Sequence, residues 1–188
     1  MVTFLKYVPN ILTTIRLFLV PLFVLVFFSE HEMHVFAALI FLIASATDVL
    51  DGYIARKFNI TSRWGQLMDP LADKCMQLAV LVSLFIAGQV PVWFLVILAC
   101  KELMMVAGSI FLYSRKTYVK ANVFGKANTV FIFLVMTLFL LMPDMSVEMK
   151  NALLGASALL TLLAFINYTY LYFVQEKAYK KDKEGETL

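Results

Sequence analysis

Charge is what this sequence has least of. Asp, Glu, Lys and Arg make up only 15% of its 188 residues, against about 25% in an ordinary soluble domain, and that shortage excludes a water-exposed surface over most of the chain. Cysteine is scarcer still. Cys75 and Cys100 are the two present, both inside apolar stretches, without the paired spacing of a metal site or a disulfide framework, so they read as packing residues. The two histidines, His31 and His34, frame HEMH, which has one residue too few between them for a zinc-protease motif, and it reads as a loop. Internal repeats, low-complexity linkers and basic grooves interleaved with aromatics are all missing. With a net charge of only +3, the chain lacks the footprint of a nucleic-acid binder, and no nucleic acid is expected as a partner.

What is there is apolar: 62% of the residues are hydrophobic. A helix that crosses a bilayer needs about 20 mostly apolar residues, and stretches of that length run over roughly 10–29, 34–56, 64–88, 91–113, 123–142 and 150–173. The expected fold is an all-α integral membrane protein of six transmembrane helices. Residues 1–175 form one membrane domain and 176–188 a polar cytoplasmic tail, whose end KKDKEGETL has the composition of a solvated, disordered segment. The first apolar stretch has no small-residue cleavage site and leads into a second span, so it does not read as a removable signal peptide. Basic residues set the orientation. Lys6, the group Arg56, Lys57 and Arg63, the group Arg115, Lys116, Lys120 and Lys126, and the tail lysines fall at alternate ends of the spans, while the loops SEHEM, GQVP and PDMSVEM carry no Lys or Arg. The positive-inside rule then places both termini, and the loops after the second and fourth spans, on the cytoplasmic side of a multi-pass cell-membrane protein.

Against this apolar background, residues 48–74 read DVLDGYIARKFNITSRWGQLMDPLADK and hold four aspartates, Asp48, Asp51, Asp69 and Asp73. Residues three or four apart share a helix face. Asp48, Asp51, Gly52 and Ala55 therefore form one stripe near the cytoplasmic end of the second span, and Gly65, Asp69 and Asp73 a similar one on the third. Two carboxylate pairs on neighbouring antiparallel helices can converge, but like charges in a low-dielectric setting repel, and each ionised group there costs several kcal/mol. Bound divalent cations supply a reason for convergence, and oxygen-only ligands favour hard ions such as Mg²⁺, Mn²⁺ or Ca²⁺ over Zn²⁺. Gly52, Ala55 and Gly65 leave room beside the carboxylates. Arg56 adds a planar cationic fork of the kind that holds phosphate. Metal ligands and an arginine at a membrane surface point to a phosphate-bearing substrate. Pro70 kinks the third span or starts a helical segment within it.

Asp48, Asp51-Gly52, Ala55-Arg56, Gly65, Asp69 and Asp73 stand at the spacing of the signature of the CDP-alcohol phosphatidyltransferases, and the chain resembles that family. VPNILTTIRLFLVPLF and LMDPLADK are similar to the same segments of its bacterial phosphatidylglycerophosphate synthases. The likeness covers the chain to about residue 90 and thins to GKANT at 125–129. The resemblance implies six transmembrane helices, a homodimer and a cytoplasm-facing polar cavity. It implies that Asp48, Asp51, Asp69 and Asp73 hold one or two Mg²⁺ or Mn²⁺ ions, that Gly52, Ala55, Arg56 and Gly65 contact the CDP moiety, and that Asp73 is also the catalytic base. The implied reaction moves the phosphatidyl group of CDP-diacylglycerol to glycerol 3-phosphate, giving phosphatidylglycerophosphate and CMP. The residues by themselves point to the metal and the phosphate, but to neither the cytidine nor the diacylglycerol.

Glycerol 3-phosphate needs a second cationic pocket, for which Arg16, Lys101, Lys120 and Lys126 are candidates by position. Each has a plainer reading: Arg16 can snorkel to the head groups, and Lys120 and Lys126 can be ordinary positive-inside residues. Lys101 and Glu102 lie mid-span, where ionisable groups are costly and usually functional; as neighbours they point in different directions, and mutual pairing is not expected. Phosphatidylglycerophosphate synthases commonly show Arg-Glu at this place and a further Arg one to two turns on. Here the pair is Lys101-Glu102, and GSIFLYSRK has no Arg before Arg115. That departure keeps a cardiolipin synthase of the same family, with phosphatidylglycerol as acceptor, as the alternative. A divalent-cation transporter is the remote one, since its acidic path would have to continue across the membrane, whereas VFAALIFLIASAT and MQLAVLVSLFIAG beyond the cluster carry no charge.

Overall fold

The computed structural model describes residues 8–30, 34–58, 63–114 and 123–185, without the side chains of 8, 9, 55, 56, 58, 63–67, 70, 105–114, 123, 124, 126 and 168–185. Six helices account for nearly all of these residues: α1 Val8–Ser29, α2 Val35–Phe58, α3 Arg63–Ile86, α4 Val92–Ser114, α5 Val123–Leu141 and α6 Val147–Gly185. Each starts and stops within a few residues of an apolar stretch except the last. Among the described residues three segments, Asn10–Ser29, Val35–Ile54 and Val147–Asn167, are long and apolar enough to cross a membrane, and Ala127–Leu141 is a shorter apolar helix. The first half of α3 fails on composition, because Arg63, Asp69, Asp73 and Lys74 crowd its N-terminal turns. The helix runs unbroken through residue 70, so Pro70 does not start it.

Residues 1–90 and 136–145 form one unit, in which α1 packs on both α2 and α3 and those two touch each other. Its buried residues recur at helical spacing: Thr13, Arg16, Phe23 and Phe27 on α1, Ala37, Ala38, Phe41, Ala44 and Asp51 on α2, Ala72, Met76, Val80 and Leu84 on α3. Alanines on α2 let the backbones approach closely, as small residues do between membrane helices. The stripes on α1 and α2 are each apolar at one end and polar at the other, and because these helices run antiparallel the polar ends coincide. Phe23, Phe27, Ala37 and Ala38 lie at the far, apolar end, where Glu30 accepts hydrogen bonds from the N–H groups of Phe36 (2.8 Å) and Ala37 (3.2 Å). These are first-turn donors with no partner inside their own helix. His34 stacks on Phe27 with centroids 3.9 Å apart and donates its backbone N–H to the Leu140 carbonyl. At the end of α3 the N–H of Gln89 reaches the Leu84 carbonyl and that of Gly88 the Phe85 carbonyl. Gly88 has φ +71°, the left-handed C-terminal stop that glycine adopts without a Cβ penalty.

The second unit comprises residues 91–135 and 146–188, where α4 packs on α6. Buried Thr161 of α6 hydrogen-bonds Asn128 Oδ1 of α5 at 3.2 Å, the kind of polar link that joins helices in lipid. At 39 residues, α6 rises about 58 Å, nearly twice a bilayer's hydrocarbon thickness of about 30 Å. α6 continues to Gly185, through residues expected as a polar tail. Lys and Glu are good helix formers.

Candidate active site

Thr13 and Arg16 stand three residues apart on α1, so both face the same way, and both are buried. An arginine inside an apolar helix is costly unless its charge is met. It is met by α2: Arg16 Nη1 donates to Asp48 Oδ1 at 2.7 Å and Nη2 to Asp51 Oδ2 at 2.5 Å. Two carboxylates three residues apart present one oxygen each along the helix face, and the planar guanidinium spans both. The two arms differ in environment. The side chains of Arg16 and Asp51 are 1% and 4% exposed, whereas that of Asp48 is 43% exposed, so the Asp51 arm is dry and the Asp48 arm meets the surface.

The Thr13 hydroxyl donates to Asp69 Oδ1 of α3. One turn of α1 thus holds three of the four motif carboxylates, drawn from two different helices. Asp51 feels the negative charges of both Asp48 and Asp69, and the Arg16 guanidinium is the cation set against them. Asp73 follows Asp69 by one turn, half-buried, with an interaction of its own. Gly52 is half-buried beside Asp51. Thr13 is the residue that sequence reasoning missed, since a hydroxyl in an apolar helix gives no local sign of a partner on another helix.

The other expected site residues are placed less fully. The side chains at Ala55, Arg56, Gly65 and Lys126 lie outside the described residues, as do all of Lys120 and the HEMH residues 31–33. Lys101 and Glu102 correct the expectation that they point apart: Lys101 Nζ contacts Glu102 Oε1 at 3.1 Å. Both have long, flexible stems, which lets the charged ends meet although the Cβ atoms point apart.

The donor chemistry of the cluster fits a hard divalent cation. It is oxygen-only, and the bonds to α1 use one oxygen each of Asp48, Asp51 and Asp69, leaving the second oxygen of each outside them. The cluster is not closed into a coordination sphere: among the described residues no three His, Cys, Asp or Glu side chains are gathered closely enough to hold an ion.

Apolar helices long enough to span a bilayer, with carboxylates and a buried arginine collected at one end of the first three, define a membrane protein with an acidic polar site. The chain belongs to the CDP-alcohol phosphatidyltransferase family, whose model matches residues 6–165. It is similar to the CDP-diacylglycerol–glycerol-3-phosphate 3-phosphatidyltransferase of Aquifex aeolicus, 31% identical over 169 residues that cover 86% of this chain and 93% of that one. The protein of the same name from Escherichia coli K12 is 31% identical over 175 residues, covering 86% and 92%. That from Bacillus subtilis is 31% identical over 134 residues, covering 64% and 69%. The chain is accordingly a transferase, of a family that generally depends on a divalent metal.

Proposed function

We propose that this protein transfers the phosphatidyl group from CDP-diacylglycerol to glycerol 3-phosphate, forming phosphatidylglycerophosphate and CMP at the membrane. The observation that carries the reading is the eight-position Asp, Gly, Ala and Arg pattern over residues 48–73, set in a chain that aligns along most of its length with relatives whose name states this reaction. Asp48, Asp51, Asp69 and Asp73 would hold Mg²⁺ or Mn²⁺, which when bound would supply positive charge against the pyrophosphate. Gly52, Ala55 and Gly65 leave space for the cytidine and pyrophosphate, and Arg56 pairs with phosphate oxygens. Asp73 takes the proton of the acceptor hydroxyl as the hydroxyl oxygen bonds to the phosphorus that carries diacylglycerol. The bond from that phosphorus to the bridging pyrophosphate oxygen breaks, CMP leaves with the electron pair, and the proton passes from Asp73 to solvent. Asp73 acts by orientation more than by basicity, since helix α3 holds it one turn from Asp69.

Lys101, Lys120 and Lys126 remain candidates for the acceptor phosphate. In the cell membrane, α1 to α6 make six crossings, with both termini and the polar cavity on the cytoplasmic side, and the protein works as a homodimer. Purified protein in detergent, given CDP-diacylglycerol with Mg²⁺ or Mn²⁺ and either glycerol 3-phosphate or phosphatidylglycerol, tests the reading by mass spectrometry of the lipid product. Phosphatidylglycerophosphate from glycerol 3-phosphate alone is the expected result. Cardiolipin from phosphatidylglycerol would overturn the acceptor while keeping the chemistry.

A further inference from the structure

We infer that Arg16 and Thr13 are positioning residues, which orient Asp48, Asp51 and Asp69 for the divalent ion from α1, and that Arg16 does not bind the acceptor phosphate. The inference rests on the reading of those aspartates as metal ligands, and three features of the site lead to it. First, the guanidinium is committed to carboxylates: Nη1 donates to Asp48 and Nη2 to Asp51, and Nε is buried with no hydrogen-bond partner among the described residues. With its side chain only 1% exposed, Arg16 presents no open face to a phosphate while it holds the two carboxylates. Second, the fork is geometric as well as electrostatic. It ties one oxygen of each carboxylate to a single rigid plane, which fixes where the second oxygen of each points. Third, Thr13 does the same for Asp69 without any charge, one turn away on the same face. Ligands from α2 and α3 are thereby referred to a common support on α1.

Hydrogen-bonding partners behind a metal's ligands are worth about 10–100-fold in metal affinity or activity. A role limited to neutralising charge, or to attracting an anion, survives replacement of Arg16 by lysine; a role in orienting two carboxylates does not. Thr13→Val removes a hydrogen bond with no change of charge and little change of shape, so it carries the test on its own should Arg16→Lys fail to fold.

The experiment titrates full-length protein in detergent with Mn²⁺, reading free Mn²⁺ by electron paramagnetic resonance, and then measures kcat and the glycerol 3-phosphate KM at saturating Mn²⁺. Wild-type protein is expected to bind Mn²⁺, and Arg16→Lys and Thr13→Val to bind it about 10–100-fold more weakly with the acceptor KM unchanged. A folded variant with wild-type Mn²⁺ affinity overturns the assignment of that residue. A raised acceptor KM at saturating Mn²⁺ in Arg16→Lys returns Arg16 to the acceptor pocket. Wild-type protein that binds no Mn²⁺ overturns the aspartates' role as ligands and this inference with it, an outcome distinct from equal binding by wild type and variants.

Discussion

Replacing Arg16 by methionine removes a buried charge while keeping an unbranched side chain, and the structure says how unequally its two partners respond. Asp51, with its side chain 4% exposed, is left in a dry site without a counter-ion, while Asp48, 43% exposed, turns to water. Breaking a buried ion pair by removing one partner costs about 3–5 kcal/mol, most of it the unmet charge that stays behind. The double variant Arg16→Met/Asp51→Asn leaves no such charge, so it should regain much of the loss, with a coupling of up to about 3 kcal/mol. The matching cycle with Asp48→Asn should give about 1 kcal/mol or less, the range of exposed pairs. Unfolding free energies from denaturant titration in mixed micelles, for the four proteins of each cycle, provide both couplings. Equal couplings for Asp48 and Asp51, or an Arg16→Met protein as stable as its parent, would refute the reasoning.

Other outcomes follow from single sites. Asp73→Asn should lower kcat by about 10²–10⁴, the worth of a positioned proton acceptor, with no change in unfolding; substantial residual CMP release would remove Asp73 as the base. Lys126→Glu should raise the apparent KM for glycerol 3-phosphate more than it lowers kcat, and an unchanged KM excludes Lys126 from the acceptor pocket. Thr161→Val strips Asn128 Oδ1 of its hydrogen bond and should cost about 1 kcal/mol of stability, read in the same micelle titration. Glu30→Ala leaves the Phe36 and Ala37 N–H groups uncapped and should cost about 1 kcal/mol. Because Glu30 lies at the end of α1 away from Arg16, its removal should leave the rate of CMP release as it was; a slowed rate would contradict that separation.

The helices were legible because each apolar run is long enough to declare itself, and the Asp48–Asp51 and Asp69–Asp73 stripes because helical spacing is a local property. What Arg16 pairs with was not. Its place in the first span gives its depth, but its partners sit more than thirty residues on, and only the packing of α1 against α2 joins them. Thr13 was hidden for another reason. Hydroxyls in apolar helices commonly bond their own backbone, as Thr14 does to the Asn10 carbonyl and Ser45 to that of Phe41, so a third-span partner leaves no mark in the sequence. At Lys101 and Glu102, reasoning from Cβ directions underrated how far two flexible side chains can bend toward each other. The helical tail reflects a competition that composition alone decides poorly: high charge argues for disorder, while good helix formers continuing an existing helix avoid the cost of nucleation.

In the proposed reaction the phosphatidyl group moves to the acceptor hydroxyl and CMP departs. Mass spectrometry of the products formed from CDP-diacylglycerol and glycerol 3-phosphate carrying ¹⁸O in its free primary hydroxyl tests it most directly. The label should appear in phosphatidylglycerophosphate and CMP should be unlabelled, because the hydroxyl oxygen becomes the new bridge to phosphorus while CMP keeps the old one. Label in CMP, or CMP formed with no labelled lipid, would contradict it.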